Sequence, residues 1–243
     1  MLDRMLARIG VGAATVDTYL SSVAAVPGGT LSGDIVIQGG QVPQEINRLY
    51  LQLMTRYKVD DRTHHHVLSS YTIGEPLTVQ PQTRVAQPFA IELPPTTPLT
   101  VGRTPVYLVT GLDLAGAFDP KDSDAIQVTP HPLQQRVLSA LDELGFQLWQ
   151  AETEYDTRWG RLVQELEFRP TGRYRQHLRE LEVIFGLDQA GLDVFIEVDR
   201  RARGLGLLFE SLNEQHASLR FTLADGERSD WTARLQATID ARL

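Results

Sequence analysis

Hydrophobic and polar residues alternate along much of residues 15–129, with the period of two that is typical of half-buried β-strands. In the segment 47–57 (NRLYLQLMTRY), Leu49, Leu51 and Leu53 share one face. Turn residues rich in Gly and Pro separate such segments. The predicted strands include Thr30–Gln38, Asn47–Tyr57, His66–Thr72, Arg84–Leu93, Arg103–Leu112 and Ala125–Thr129. About seven short strands separated by turns predict an antiparallel β-sandwich.

The period changes directly after Pro132. Leucine and valine residues then recur at helical spacing through Leu133–Leu144, and Gly145 is the stop signal. This predicted helix separates the first β-rich part from a second one. We therefore divide the chain into a domain over residues 1–130 and a smaller domain over residues 131–243.

Strand-like alternation returns in the second domain. The predicted strands are Phe146–Tyr155, Leu162–Arg169, Leu178–Phe185, Leu192–Asp199 and Ala217–Leu223. The chain closes with a predicted amphipathic helix, Asp230–Leu243, for which Ser229 is the expected N-cap.

Composition excludes several classes of protein. The 243 residues contain no cysteine, so a disulfide framework, a thiolate metal site and a cysteine nucleophile are excluded. The 23 basic and 31 acidic residues give a net charge of −8. The chain therefore lacks the overall positive electrostatic field that favours nucleic-acid binding. The longest uncharged run, Thr18–Gly33, contains one Pro and three Gly residues, which is unlike a membrane span. We expect a cytoplasmic protein without membrane association.

The triple histidine His64–His66 raises the question of a metal site. Imidazole is a common transition-metal ligand, but in a strand only His64 and His66 share a face. A catalytic zinc normally has three protein ligands, and no such set is recognisable at these positions. We favour a polar strand here.

The acidic run Asp119–Asp124 resembles a calcium loop only in part. An EF-hand loop needs oxygen ligands at its first, third and fifth positions and Gly at the sixth. Counted from Asp119, the third residue is Lys121 and the sixth is Asp124. We expect a solvated turn.

No arrangement of residues indicates catalysis. The nucleophile elbow G-x-S-x-G is absent. Glu152 with Glu154, and Glu165 with Glu167, share strand faces, as is ordinary on the wet side of an antiparallel sheet. We assign no catalytic, cofactor-binding or metal-binding residue, and a hydrolase assembled from distant strands ranks last.

The arginines Arg200, Arg201 and Arg203 form a positive run after the predicted strand Leu192–Asp199. The simplest interpretation is a solvated hairpin turn closed by Gly204. The alternative is a contact for an acidic partner, either a peptide or a lipid headgroup. These three residues are our candidate partner-binding site.

Several strings resemble a known family when they are taken in order. They are IGVGAATVDT (9–18), PGG (27–29), GDIVI (33–37), LQLMTRY (51–57), PLTVG (98–102), TGLDLAGAFDPKDSD (110–124), HP (131–132), LGF (144–146), ELEF (165–168) and DRRARGLG (199–206). Together they are similar to the bacterial sporulation-control (stage-zero M) family, and they span nearly the whole chain.

The resemblance implies two arrestin-like β-sandwich domains in tandem and a non-catalytic cytoplasmic regulator or adaptor. Together with the two helices predicted from periodicity, we expect a mainly β fold of two tandem arrestin-like β-sandwich domains with a connecting helix and a C-terminal helix, and no cofactor. Sheet edges can bind an extended protein segment by strand addition, or pair two copies as a homodimer. The alternative function is a metal- or ligand-sensing β-sandwich protein that uses His64–His66 or Asp119–Asp124.

Overall fold

The computed structural model describes residues 13–59, 62–115, 119–156, 161–200, 216–223 and 230–243. The chain divides into two compact units. The first consists of Met1–Arg56, Asp61–Thr100 and Pro105–Thr129, and the second of Tyr57–Asp60, Val101–Thr104 and Pro130–Leu243.

Nine strands of the first unit form two sheets. They are β1 (Thr15–Leu20), β2 (Ala24–Ala25), β3 (Thr30–Gln38), β4 (Gln44–Val59), β5 (Arg62–Ile73), β6 (Leu77–Val79), β7 (Arg84–Glu92), β8 (Val106–Leu114) and β9 (Lys121–Val128). The smaller sheet has the order β1-β3-β7. The larger has the order β2-β9-β8-β4-β5, with β6 paired to β4. The β2–β9 pair is parallel. The antiparallel pairs are β1–β3, β3–β7, β4–β6, β4–β8 and β8–β9.

The alternation of residues explains the core of the first unit. Ile35 and Ile37 of β3 are fully buried, as are Leu51 of β4 and Leu108 of β8, whereas their sequence neighbours are more exposed. The hydroxyls of Thr18 and Thr110 lie 2.5 Å apart in this interior and join β1 of one sheet to β8 of the other. The two sheets therefore face each other across one apolar core.

The described residues of the second unit form one antiparallel sheet in strand order β10-β11-β12-β13-β14. Its elements are helix α1 (Pro132–Glu143), β10 (Phe146–Asp156), β11 (Arg161–Pro170), a 3₁₀ turn (Arg173–Gln176), β12 (Leu178–Asp188), β13 (Gly191–Arg200), β14 (His216–Leu223) and helix α2 (Trp231–Asp240). Each strand pairs with the next one along the chain.

Helices cover the apolar side of this unit. Val137 and Leu141 of α1 and Leu235 of α2 are fully buried, and α1 contacts α2, β10 and β13. The sequence predicts a small second sandwich, but the described residues of this unit form a single sheet with two helices. The amphipathic helices supply the apolar layer that a second sheet would otherwise provide.

The ends of the helices differ slightly from the sequence prediction. Helix α1 begins one residue earlier, and His131 accepts a hydrogen bond at Nδ1 from the Leu133 amide at 3.3 Å. The N-cap of α2 is Asp230, whose Oδ1 accepts from the Ala233 amide at 3.0 Å, and not Ser229. A carboxylate accepts the orphan amides of a first helical turn as well as a hydroxyl does.

Candidate functional site

The predicted arginine site lies largely outside the described residues. Arg200 is the last residue of β13, where its backbone pairs with Leu178. Arg201 and Arg203 lie outside the described part of the chain. Their contact with a partner stays a prediction.

The triple histidine lies in β5, as predicted for a polar strand. His65 Nδ1 is 2.6 Å from the Tyr107 hydroxyl of β8, and the two rings meet edge to face at 6.3 Å between centroids. Burial raises the pKa of Tyr107, which favours the protonated phenol in this hydrogen bond. Among the described residues, no group of three or more His, Asp or Glu side chains is arranged to hold a metal ion.

The acidic run is mostly a strand and not the expected solvated turn. Asp122 and Asp124 lie in β9 because the buried residues Ile126 and Val128 continue the same alternation. Asp122 accepts hydrogen bonds from the Thr18 amide at Oδ2 and from the Ser123 amide at Oδ1, each at 2.8 Å. These carboxylate oxygens therefore serve the backbone of the fold.

Asp124 differs from its neighbours in ionisation. Burial, followed by the nearby charge of Asp122, raises the pKa of Asp124 to about 6. Its Oδ2 is buried without a hydrogen-bond partner in the described part of the chain. Because a carboxylate binds a metal in its deprotonated form, protonation of Asp124 below about pH 6 competes with any cation there.

Strand β5 forms one edge of the larger sheet, and its residues are exposed or half-buried. None of its twelve residues is buried, and Val67 exposes 40% of its surface. Natural edge strands are usually short, or they carry charged residues, proline or a bulge that prevents pairing with another chain. β5 contains a single charged residue outside its histidines, Arg62, and no proline. Its sequence therefore lacks the proline and most of the charged residues that usually protect an edge.

One face of the second sheet carries glutamates on four neighbouring strands. Glu152 of β10 lies opposite Glu165 of β11, and Glu182 of β12 lies opposite both Glu167 and Glu197. Burial, followed by the charges of Glu154 and Glu182, raises the pKa of Glu165 to about 7. We call these residues, together with Glu154 and Glu180, the acidic face. The sequence predicts an ordinary wet face here and does not predict that its members oppose one another.

The connection between β11 and β12 borders a cavity of about 500 Å³, which sequence reasoning missed. Its lining residues are Arg169, Pro170, Thr171, Arg175 and Arg179. The available signal was the segment 169–179 (RPTGRYRQHLR), which holds four arginines, one histidine and no acidic residue. We call this the arginine cavity.

Comparison with known proteins identifies the family. The model of the family described as "SpoOM protein" matches residues 2–202. The chain belongs to this family. The predicted resemblance to the stage-zero M sporulation-control proteins is confirmed.

Two relatives extend the match over nearly the whole chain. The sporulation-control protein spo0M of Bacillus subtilis (strain 168) is 42% identical over 246 residues, which cover 98% of this chain and 95% of that protein. The crystal structure of Spo0M from Bacillus subtilis is similar with a TM-score of 0.84 and 36% identity, over 96% of this chain and 100% of that chain. The mainly β fold is thus shared with a sporulation-control protein.

None of the helices within the described residues has both the length and the apolar composition that are needed to cross a membrane. The cytoplasmic location stays a prediction.

Proposed function

We propose that this chain is a non-catalytic regulatory protein that binds an extended segment of a partner protein along the outer edge of β5. Membership of the sporulation-control family supports a regulatory role. The arrestin-like arrangement of tandem β-rich domains, inferred from the resemblance, belongs to the same proposal. The observation that carries the proposal is the long edge strand β5, which has no proline and only one charged residue besides its histidines.

Strand addition would use the backbone of β5. The outer backbone groups of a terminal strand are suited to pair with another extended chain, and side chains on alternate positions then select the sequence. β5 offers Val67 and the half-buried Leu68 and Tyr71 for such selection. The Tyr71 hydroxyl donates to the Glu92 carbonyl of β7 at 2.5 Å, which holds this end of β5 against the smaller sheet.

Site-specific photo-crosslinking in host cells tests the proposal. A photoreactive residue replaces Val67 of β5 in one variant and the exposed Gln135 of α1 in the matched control. We expect the variant at position 67 to give one dominant adduct that maps to an extended segment of another protein. Adducts that are equally abundant from both positions would contradict a specific edge.

A second experiment tests whether the edge itself provides the affinity. The double substitution Thr63→Lys and Val67→Lys places charges on the outer strand, as natural edge strands do. We expect it to weaken binding of the mapped peptide by about tenfold or more, with an unchanged circular dichroism spectrum. Unchanged affinity of the double variant for the peptide would refute the proposal. If the crosslinking experiment gives an adduct between two copies of this chain, the β5 edge mediates self-association and does not bind a different partner protein.

A further inference from the structure

The arginine cavity has the size and the charge of a small-molecule site. Its volume of about 500 Å³ lies within the range of ligand pockets, roughly 300–1,000 Å³. Among the described residues, five line the cavity; three of these are arginines and none is acidic. This concentration is unusual for its surroundings, because residues 131–243 contain 14 basic and 19 acidic residues.

Guanidinium groups favour one ligand chemistry. Each arginine stays charged at any physiological pH and presents a planar fork of N–H donors that matches the oxygens of phosphate or carboxylate. Three arginine forks around one cavity match a ligand group that has several oxygens and about two negative charges. They match such a group better than they match a single carboxylate. A phosphate group has these properties.

The cavity is held in shape by contacts on two sides. The Arg169 guanidinium lies 3.8 Å from the centre of the Trp149 ring, a cation–π contact that restricts its side chain. The amide and the hydroxyl of Thr171 both donate to the Gly145 carbonyl, at 2.7 and 2.9 Å. Because these groups are ordered before a ligand arrives, binding costs less conformational entropy.

The 3₁₀ turn that carries Arg175 is anchored as well. Tyr174 is buried against Phe146, with 5.1 Å between the ring centroids, and its hydroxyl donates to Asp240 of α2 at 2.8 Å. Arg173 forms an ion pair of 2.7 Å with the same carboxylate. Arg173 therefore stabilises the turn, while Arg175 lines the cavity.

The three lining arginines differ in how much of their charge is available. Arg179 lies 3.4 Å from Asp199 and 4.0 Å from Glu180, so these carboxylates partly neutralise it. Arg175 has no carboxylate within 4.0 Å among the residues that the structure describes. Arg175 therefore contributes most of the uncompensated charge.

We propose that the arginine cavity binds the phosphate group of a small phosphorylated molecule or of a lipid headgroup. Arg169 and Arg175 bind the phosphate oxygens, and Arg179, held by Asp199, closes the third side. The site lies on the second unit and does not depend on the partner-binding edge of β5.

Isothermal titration calorimetry with inorganic pyrophosphate tests the proposal on the full chain, at constant ionic strength set with chloride. We expect saturable binding that Arg175→Gln weakens about tenfold or more. We expect Arg169→Gln to weaken pyrophosphate binding independently. Arg62→Gln on β5 removes an exposed charge of the first unit and is the matched control, which we expect to bind like the parent.

Arg175→Lys separates fork geometry from charge. A lysine keeps the charge but loses the planar pair of donors, so we expect an affinity between those of the parent and of Arg175→Gln. Acetate at the same ionic strength should give no saturable heat. Equal binding by the parent, Arg175→Gln and Arg169→Gln would overturn the proposal.

Flotation with vesicles distinguishes the two sources of phosphate. The vesicles contain phosphatidylcholine with or without phosphatidic acid. Flotation that requires phosphatidic acid and is lost in Arg175→Gln assigns the site to a lipid headgroup, whereas pyrophosphate binding without flotation assigns it to a soluble ligand. The absence of both pyrophosphate binding and flotation would refute the proposal. The Thr63→Lys/Val67→Lys variant should bind as the parent does, so failure here is distinguishable from failure of the β5 edge.

Discussion

The buried hydroxyl of Tyr174 donates a 2.8 Å hydrogen bond to Asp240, 66 residues later in the chain. This contact joins the 3₁₀ turn after β11 to helix α2. We predict that Tyr174→Phe lowers the free energy of unfolding by about 1 kcal/mol, the usual net contribution of one hydrogen bond. Urea denaturation measures this change. Tyr155→Phe, at an exposed tyrosine, is the control and should leave stability unchanged.

The same contact predicts a dependence on acid. The hydrogen bond from Tyr174, followed by that from Arg173, holds the pKa of Asp240 below its usual value. Its stabilising contribution is therefore present above the unfolded pKa of about 4 and is lost as the pH falls through the lower folded value. The stability difference between the parent and Tyr174→Phe should shrink in acid. A difference that grows in acid would contradict the assignment.

The acidic face predicts the opposite dependence on pH. The pKa of Glu165 is about 7 in the folded chain, above the ordinary value of 4.5, so folding favours its protonated form. Stability is highest below the unfolded pKa and falls as the pH rises through about 7. Glu165→Gln should remove this loss and stabilise the chain by about 0.5 kcal/mol at pH 8, the scale of one cross-strand pair of like charges.

Melting temperatures between about pH 5 and pH 8 measure this effect. Glu75→Gln, in an exposed turn, is the matched control and should change the melting temperature equally at every pH. If Glu165→Gln also shifts the melting temperature equally at every pH, burial of Glu165 does not control its ionisation.

Two glycines, one in a strand of the first unit and one before the 3₁₀ turn of the second, allow a matched test of how closely the backbone is packed. A Cβ atom at Gly33 would overlap the backbone carbonyl oxygen of Tyr19 in the neighbouring strand, whereas one at Gly172 would meet no atom within 4 Å. We predict that Gly33→Ala costs about 2 kcal/mol or more and that Gly172→Ala stays within about 0.5 kcal/mol of the parent. Thermal and urea unfolding measure both. If the two substitutions change the free energy of unfolding equally, β1 does not approach β3 as closely as the structure indicates.

The metal-sensing alternative predicts stabilisation by divalent cations. Asp122 already accepts two backbone hydrogen bonds, and no group of three or more His, Asp or Glu side chains in the described part of the chain is arranged to hold a metal ion, so we expect calcium, zinc and nickel to leave the melting temperature unchanged. Differential scanning fluorimetry measures this. A melting temperature that rises with the cation concentration would support the metal-sensing function.

Most elements of the fold could be predicted from the period of the sequence. The predicted strand Thr30–Gln38 agrees with β3, and the predicted helix Leu133–Leu144 is shifted by one residue from α1. The prediction of a solvated turn for the acidic run is wrong because Asp122 and Asp124 are half-buried and lie on the same face of the strand as the buried residues Ile126 and Val128. Composition alone did not separate this strand from a turn.

The family and the mainly β character of this protein were determined by the sequence, because alternation and motif order are properties of neighbouring residues. Only the tertiary structure placed Arg169, Arg175 and Arg179 around one cavity and set Glu152 opposite Glu165. Strand register and the path of a turn determine which residues from distant parts of the sequence become neighbours. A linear pattern shows which face a side chain occupies, but it does not show which residue of the next strand lies beside it.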